Sequence, residues 1–154
     1  MSKEIERKFL VKGESWRALV NPHFYQQGYI STINQTTVRV RIVGENGFLT
    51  IKGKSEGIAR CEYEYQIPVT DARQMLQELC DQSQIQKNRY RIPIEGLVWE
   101  VDEFLGDNSG LIIAEVELEE EEQVIVLPAW VDQEVSGDPR YFNSNLTKFP
   151  YKNW

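Results

Sequence analysis

The stretch EIERKFL at residues 4–10 has the alternation of a β-strand with two chemically opposite faces. Successive side chains of a strand point to opposite sides, so Glu4, Glu6 and Lys8 share one face, and Ile5, Phe9 and the following Val11 share the other. Two carboxylates on one face repel each other unless a cation lies between them. The stretch therefore favours a metal-binding strand with an amine beside it for an anion, although a charged face in solvent is the alternative for this strand taken alone.

The same alternation returns along the chain and predicts eight β-strands. They cover residues 4–10, 24–35, 37–43, 48–54, 60–67, 85–92, 97–105 and 111–119. Short turns, such as the one that contains Asn46 and Gly47, indicate antiparallel hairpins. One clear helix is predicted at residues 70–80 with Thr70 as its N-cap, and a short helix at residues 129–135.

The charged faces of these strands collect nearly half of the basic side chains in an acidic protein. Of 17 Lys and Arg residues, eight lie at such positions, although the net charge is −7. The basic residues are Lys8, Arg39, Arg41, Lys52, Lys54, Lys87, Arg89 and Arg91. The acidic residues on the same faces are Glu4, Glu6, Glu62, Glu64, Asp102, Glu115 and Glu117.

Two architectures fit this pattern. In one, an open sheet packs its apolar face on helices and exposes a face of salt bridges. In the other, eight antiparallel strands close into a barrel with a polar, charged interior, and a few peripheral helices cover part of its apolar outside. The sequence offers too little helix to cover a wide open sheet, and closure also removes exposed strand edges. We therefore predict a mainly β, closed eight-stranded barrel that forms a single domain over residues 1–154.

A barrel interior with this composition is suited to a metal-bound triphosphate. Arg and Lys side chains bind phosphate oxygens, and clustered carboxylates are the oxygen ligands that Mg²⁺ or Mn²⁺ prefers. Structural salt bridges remain an alternative for buried carboxylates. For Glu62 and Glu64 we predict that alternative, in which they orient the neighbouring basic residues.

Composition limits the other function classes. The sequence pI of about 4.8 argues against a nucleic-acid partner held by overall charge. No apolar run approaches the length of a membrane span, and no signal peptide is recognised, so we predict a cytoplasmic protein without a membrane partner. The single histidine, His23, lies in a predicted turn, which leaves no catalytic triad to assemble. No phosphate-binding glycine motif is present.

The ordered set of motifs resembles the CYTH superfamily, also called triphosphate tunnel metalloenzymes. The resemblance spans residues 3 to about 147, and the compact size resembles that of the small stand-alone bacterial tripolyphosphatases. Its first mark is the ExExK strand, present here as EIERK at residues 4–8. The further marks are RVR at 39–41, TIK at 50–52, EYE at 62–64, KNR at 87–89, VDEF at 101–104, EVE at 115–117 and the tail DPRYFN at 138–143.

The resemblance implies an eight-stranded tunnel and metal-dependent hydrolysis of inorganic tripolyphosphate or a related small triphosphate. It implies catalytic roles for Glu6 and Glu117 as metal ligands, and for Lys87 and Tyr29 in positioning a water or a terminal phosphate. Core packing is the alternative for Tyr29. The implied metal ligands are Glu4, Glu6, Asp102, Glu115 and Glu117. The implied phosphate contacts are Lys8, Arg39, Arg41, Lys52, Lys87 and Arg89, with Lys54 and Arg91 nearer the tunnel mouth.

Several alternatives stay open at this point. A class IV-type adenylate cyclase would share the fold but would need an adenine pocket, which the sequence does not reveal. A thiamine triphosphatase would need a surface for the organic group, and a non-catalytic polyphosphate- or nucleotide-binding module would have less need of the carboxylates. The oligomeric state is also open, with a homodimer among the alternatives.

Overall fold

Nine antiparallel strands form one sheet that closes on itself. The computed structural model describes residues 2–154. The strands are β1 (Ser2–Val11), β2 (His23–Ile30), β3 (Thr37–Val43), β4 (Asn46–Lys52), β5 (Ala59–Ile67), β6 (Ile85–Ile94), β7 (Leu97–Phe104), β8 (Ile112–Glu117) and β9 (Val131–Glu134). Two α-helices are described, α1 (Val69–Glu78) and the single turn α2 (Asn143–Leu146).

Strand β1 closes the barrel by pairing with two different neighbours along its length. Its first residues pair with β5, where Glu4 lies opposite Arg60, and its middle pairs with β8, where Glu6 lies opposite Glu117. The order β5-β4-β3-β2-β6-β7-β8-β1 thus returns to β5, and β9 adds to β1 as an extra strand. The predicted closed eight-stranded antiparallel barrel is confirmed, with one strand more than the sequence indicated.

The main apolar core lies outside the barrel wall, on the face opposite the charged residues. Trp99 is fully buried there, with its ring centroid 5.6 Å from that of Phe9 and 5.8 Å from that of Trp130. Helix α1 covers another part of the outside through Ala72 and Leu76. The apolar residues of this outer core alternate with charged residues on the same strands, so those charged residues must face the interior.

A second apolar cluster fills part of the barrel interior, from strand positions whose side chains point inward like those of the charged residues. Ile85, Phe104 and Ile113 belong to β6, β7 and β8, and they pack with Tyr141 and Leu146 from the C-terminal tail. Ile85 is two residues before Lys87 on its strand, and Phe104 is two residues after Asp102. The interior is therefore polar in the middle and apolar where the tail meets it.

Three predicted elements are wrong in type or in extent. Residues 129–135 do not form a helix, because β9 pairs with β1 there and Val131 is buried against it. Strand β2 ends at Ile30 rather than at residue 35, and Gln35 has a left-handed φ of 61° that interrupts extended structure. Thr70 is not the N-cap of α1, because Pro68 takes that position and the helix begins at Val69. No helix in the described part of the chain is long and apolar enough to cross a membrane.

Candidate active site inside the barrel

Of the seven basic side chains that line the cavity inside the barrel, Arg60 lies on β5 and the other six come from four strands. Lys8 comes from β1, two arginines come from β3, Lys52 comes from β4, and a lysine and an arginine come from β6. Apart from Arg41, which is half-buried, none of these six exposes more than 9% of its surface. The six residues, which we call the cationic wall, are Lys8, Arg39, Arg41, Lys52, Lys87 and Arg89.

Two members of the cationic wall are held by one buried carboxylate. Lys87 Nζ lies 2.7 Å from Asp102 Oδ2, and Arg89 donates through Nε to Oδ1 at 2.7 Å and through Nη2 to Oδ2 at 2.8 Å. Burial would raise the Asp102 pKa, but the charges of Arg89 and Lys87 outweigh it and hold this pKa below its ordinary value. Burial lowers the pKa of Lys87 to about 7.

The contacts of Asp102 favour a positioning role over the metal-ligand role that the resemblance implied. Asp102 is fully buried, and three donors already occupy its two oxygens. The described residues that line the cavity include Lys87 and Arg89 but not Asp102, which therefore lies behind them. Its metal-ligand role stays a prediction that the geometry does not favour.

The carboxylates that pair with β3 and β4 lie as the alternation predicted. Glu62 Oε2 is 3.3 Å from Lys52 Nζ, and Glu64 Oε2 is 3.7 Å from Arg39 Nη2. Lys52 also donates to both oxygens of Glu4, at 3.0 and 2.9 Å. Glu62 and Glu64 are thus in position to orient the cationic wall, which was their predicted role.

A group of carboxylates without a full set of cationic partners lies around Glu6. Burial, followed by the charges of Glu115 and Glu4, raises the pKa of Glu6 to about 8. Burial also raises the pKa of Glu4, whereas Lys8, 3.8 Å from Glu115, helps to hold the Glu115 pKa well below its usual range despite burial. Additional positive charge at this point would stabilise the ionised form of Glu6.

The carboxylates around Glu6 fit a divalent cation in chemistry, although they are not gathered as ligands. Among the residues that the structure describes, no three acidic, histidine or cysteine side chains converge closely enough to hold a metal. Glu4 is paired with Lys52 at 2.9 Å, and Glu115 is paired with Lys8 at 3.8 Å. Hard carboxylate oxygens that repel one another are nevertheless the donor set that Mg²⁺ or Mn²⁺ takes.

Three residues of the predicted charged faces lie at or beyond the rim. Glu117 is exposed, although its register opposite Glu6 keeps it near the carboxylates, and burial followed by Glu4 raises its pKa. Lys54 follows the end of β4, is exposed and lines a second cavity beside the first. Arg91 is exposed and lies 3.3 Å from Glu100.

The cationic wall retains capacity to bind an anion. Arg39 Nε is buried and has no hydrogen-bond partner among the described residues. Arg41 has no carboxylate within salt-bridge distance in that part of the chain, and burial followed by Arg39 and Arg89 lowers its pKa to about 9. Because buried donors are normally satisfied, these groups indicate a site that is completed by a bound anion.

The C-terminal tail, which carries the DPRYFN motif at 138–143, supplies groups to which the sequence analysis assigned no role. Lys8 Nζ lies 3.5 Å from the carbonyl oxygen of Tyr141 and 5.2 Å from the ring centroid of Phe142, and Lys87 donates to Asn143 Oδ1 at 2.9 Å. No periodicity marks the tail, so its contribution could not be read from the pattern. Gln27, which is completely buried beside Tyr29, could have been found because both share the parity of β2 that faces inward.

Comparison with known proteins agrees with this arrangement. The CYTH domain matches residues 2–148. The chain belongs to the CYTH domain family.

Two relatives of this CYTH domain protein are inorganic triphosphatases. The one from Acetivibrio thermocellus is 53% identical over 154 residues, which cover 100% of this chain and 99% of the relative. The one from Nitrosomonas europaea is 37% identical over 152 residues, which cover 93% of this chain and 95% of the relative.

Solved structures share the fold of the CYTH domain described here. A crystal structure of an inorganic triphosphatase has a TM-score of 0.63 at 35% identity, and the match covers 93% of this chain and 96% of that one. A putative adenylate cyclase from Bacillus halodurans has a TM-score of 0.64 at 18% identity, over 79% of this chain and 84% of that one. At that identity the second likeness shows the fold alone.

Proposed function

We propose that this CYTH domain protein hydrolyses inorganic triphosphate or a closely related small triphosphate. The cationic wall, five of whose six residues are buried, faces one cavity, and Arg39 Nε lacks a partner among the described residues; this is the observation that carries the proposal. A triphosphate presents several anionic oxygens in a row, which matches cations from facing walls of a tunnel. The relatives named above act on the same class of compound.

The cationic wall would bind the phosphate chain and stabilise the transition state. As water attacks a terminal phosphorus and the bond to the bridging oxygen breaks, negative charge moves onto the leaving diphosphate. Preorganised cations in a site with little water stabilise that charge more strongly than solvent does. Asp102 fixes Lys87 and Arg89, so these two groups need not reorganise during the reaction.

We infer that Glu4, Glu6 and Glu115, with Glu117 at the rim, hold the divalent cation, Mg²⁺ or Mn²⁺. When bound, such an ion supplies positive charge to the phosphate oxygens and orients them. The raised pKa of Glu6 and the repulsion among its neighbours support this assignment. Lys52 and Lys8 would then be released from Glu4 and Glu115 toward the substrate.

The test is phosphate release by the purified protein with Mg²⁺ or Mn²⁺, with EDTA as the metal-free control. Tripolyphosphate, ATP and thiamine triphosphate are compared, and ATP reactions are also assayed for cyclic AMP. We expect phosphate from tripolyphosphate and no cyclic AMP from ATP. Binding of tripolyphosphate without turnover would instead indicate a non-catalytic module, and cyclic AMP would indicate a cyclase.

Variants test the assigned residues directly. Glu6→Ala and Glu117→Ala are expected to lower turnover by orders of magnitude with the fold retained, because each removes a carboxylate from the inferred metal site. Arg73→Ala is the matched control, since Arg73 is exposed on α1 outside the barrel. Wild-type turnover in both glutamate variants would refute the assignment.

A further inference from the structure

A completely buried amide connects two groups of the active site. Gln27 Oε1 accepts a hydrogen bond from Arg41 Nε at 2.8 Å. Its Nε2 lies 2.8 Å from the hydroxyl oxygen of Tyr29 and 3.4 Å from Asn143 Oδ1. Asn143 Oδ1 in turn accepts from Lys87 Nζ at 2.9 Å. The network therefore joins β2, β3, β6 and the C-terminal tail.

The chemistry of these partners fixes which way the amide points. An arginine Nε–H can only donate, so the atom of Gln27 that faces Arg41 must be the oxygen. The NH₂ group of Gln27 must then face Tyr29 and Asn143. A lysine ammonium also only donates, so the oxygen of Asn143 faces Lys87 and is free to accept from Gln27 as well. Both amides are thus oriented by donors from the cationic wall.

The orientation of Gln27 limits the directions in which the Tyr29 hydroxyl can point its own hydrogen. An amide nitrogen can donate but cannot accept, so the Tyr29 oxygen must accept from Gln27 and cannot direct its own hydrogen there. Within the described residues the hydroxyl has no acceptor of its own. Tyr29 lines the same cavity as the cationic wall, so the cavity is where its hydrogen can find one.

We propose that Gln27 is a positioning residue that turns the Tyr29 hydroxyl into a hydrogen-bond donor toward the triphosphate. The role rests on the proposed function, because the acceptor is a phosphate oxygen of the bound substrate. Tyr29 donates to that oxygen, and Gln27 donates to Tyr29, which strengthens the donor through a chain of aligned hydrogen bonds. The strand geometry suits the role, since Gln27 and Tyr29 are two residues apart and point to the same side.

The close packing of β2 against α1 keeps both side chains in place. Gly28 lies between them and faces outward, where a Cβ would lie 3.0 Å from Leu76 Cδ2 and 3.1 Å from Cys80 Cβ. The absence of a side chain lets the helix approach this strand closely. Helix α1 therefore supports the backbone of Gln27 and Tyr29 from outside the barrel.

The test is a double-mutant cycle with Gln27→Glu and Tyr29→Phe, measured as kcat/KM for inorganic tripolyphosphate with Mg²⁺. Glutamate keeps an acceptor for Arg41 but gives Tyr29 no donor, so the phenol hydrogen turns to the carboxylate and away from the cavity. We expect each single variant to lose about tenfold or more. In the Tyr29→Phe background, Gln27→Glu should add less than about threefold, because the group it acts through is already absent.

The control is Gln26→Glu, one residue away on the outer face, where Gln26 Nε2 contacts Gln84 Oε1 at 3.3 Å. It should leave kcat/KM unchanged. Gln27→Leu repeats the experiment without an added charge if the glutamate variant does not fold. An equal loss from the Gln27 substitution in both backgrounds, or no loss at all, would overturn the positioning role.

A second readout separates this inference from the proposed function. If the wild-type protein does not release phosphate, the proposed function fails and the same cycle is measured as tripolyphosphate affinity by calorimetry. Losses of affinity that do not add between Gln27 and Tyr29 would still support the positioning role. Additive losses, or affinity that neither substitution changes, would overturn it.

Discussion

Asp102 and Lys87 form an ion pair inside the barrel, with Oδ2 and Nζ 2.7 Å apart and neither side chain more than 1% exposed. Arg89 shares the same carboxylate, so one negative charge supports two cations that face the cavity. An ion pair this deeply buried adds little net stability compared with apolar residues, but removal of one partner leaves the remaining charges buried without a counter-charge. The role of Asp102 is therefore to position Lys87 and Arg89 toward the cavity.

Asp102→Ala is expected to destabilise the protein by about 3–5 kcal/mol, because Lys87 and Arg89 would be left buried without their counter-charge. Urea unfolding followed by tryptophan fluorescence measures this loss. The milder Asp102→Asn keeps the shape and should lower turnover while the fold persists. If Asp102 acts by position alone, the Mg²⁺ concentration that gives half-maximal activity stays as in the wild-type protein, and a large increase would show that Asp102 is a metal ligand after all.

Arg39→Ala should weaken the binding of tripolyphosphate by about 1–3 kcal/mol, the range expected for a charge-assisted hydrogen bond. Arg39 Nε has no partner in the described part of the chain, so the substitution removes a donor that is available to substrate. Steady-state kinetics and calorimetry measure the effect, with Arg73→Ala as the matched control. Unchanged KM, kcat and affinity would exclude Arg39 from the site.

The alternation of single strands placed the six residues of the cationic wall on the charged faces, but it included Lys54 and Arg91 with them, and these two lie at or beyond the rim. Residues two apart on a strand share a face, so Arg39 with Arg41 and Lys87 with Arg89 could be placed together before the neighbours of each strand were known. Closure of the barrel followed from the lack of helix to cover an open sheet. The position of Glu115 inside and of Glu117 at the rim could not be predicted, because strand parity does not say how far along the tunnel a residue lies.

The parts that were mispredicted or missed depend on contacts between distant segments. Residues 129–135 carry no strong β pattern of their own and form β9 only because the edge of β1 is available there. Asn143 contacts Lys87 across 56 positions in sequence, and the DPRYFN motif that contains it does not show by itself which strand it will meet. Such residues become recognisable only when the barrel brings the segments together.

Trp99→Ala is expected to lower the free energy of unfolding by about 3–5 kcal/mol, because it opens a cavity in the outer core. Trp99 is completely buried and its ring packs against Phe9 and Trp130. Val98→Ala is the matched control, since Val98 is the preceding residue of the same strand and is 39% exposed. Equal urea midpoints for the two variants would contradict the assignment of the core to the outside of the barrel wall.

The two cysteines are expected to differ strongly in reactivity toward Ellman's reagent. Burial, followed by the charge of Asp81, raises the pKa of Cys80 to about 11, and Cys61 is only half-buried. The thiolate is the reactive form of cysteine, and little of it is present at a pH well below the pKa. Roughly one Cys80 thiol in a thousand is therefore ionised at pH 8. We expect one thiol per chain to react rapidly in the native protein and the second to react only in denaturant. Cys61→Ser should abolish the fast phase, whereas rapid native labelling of that variant at pH 8 would show that Cys80 is not protected as the fold requires.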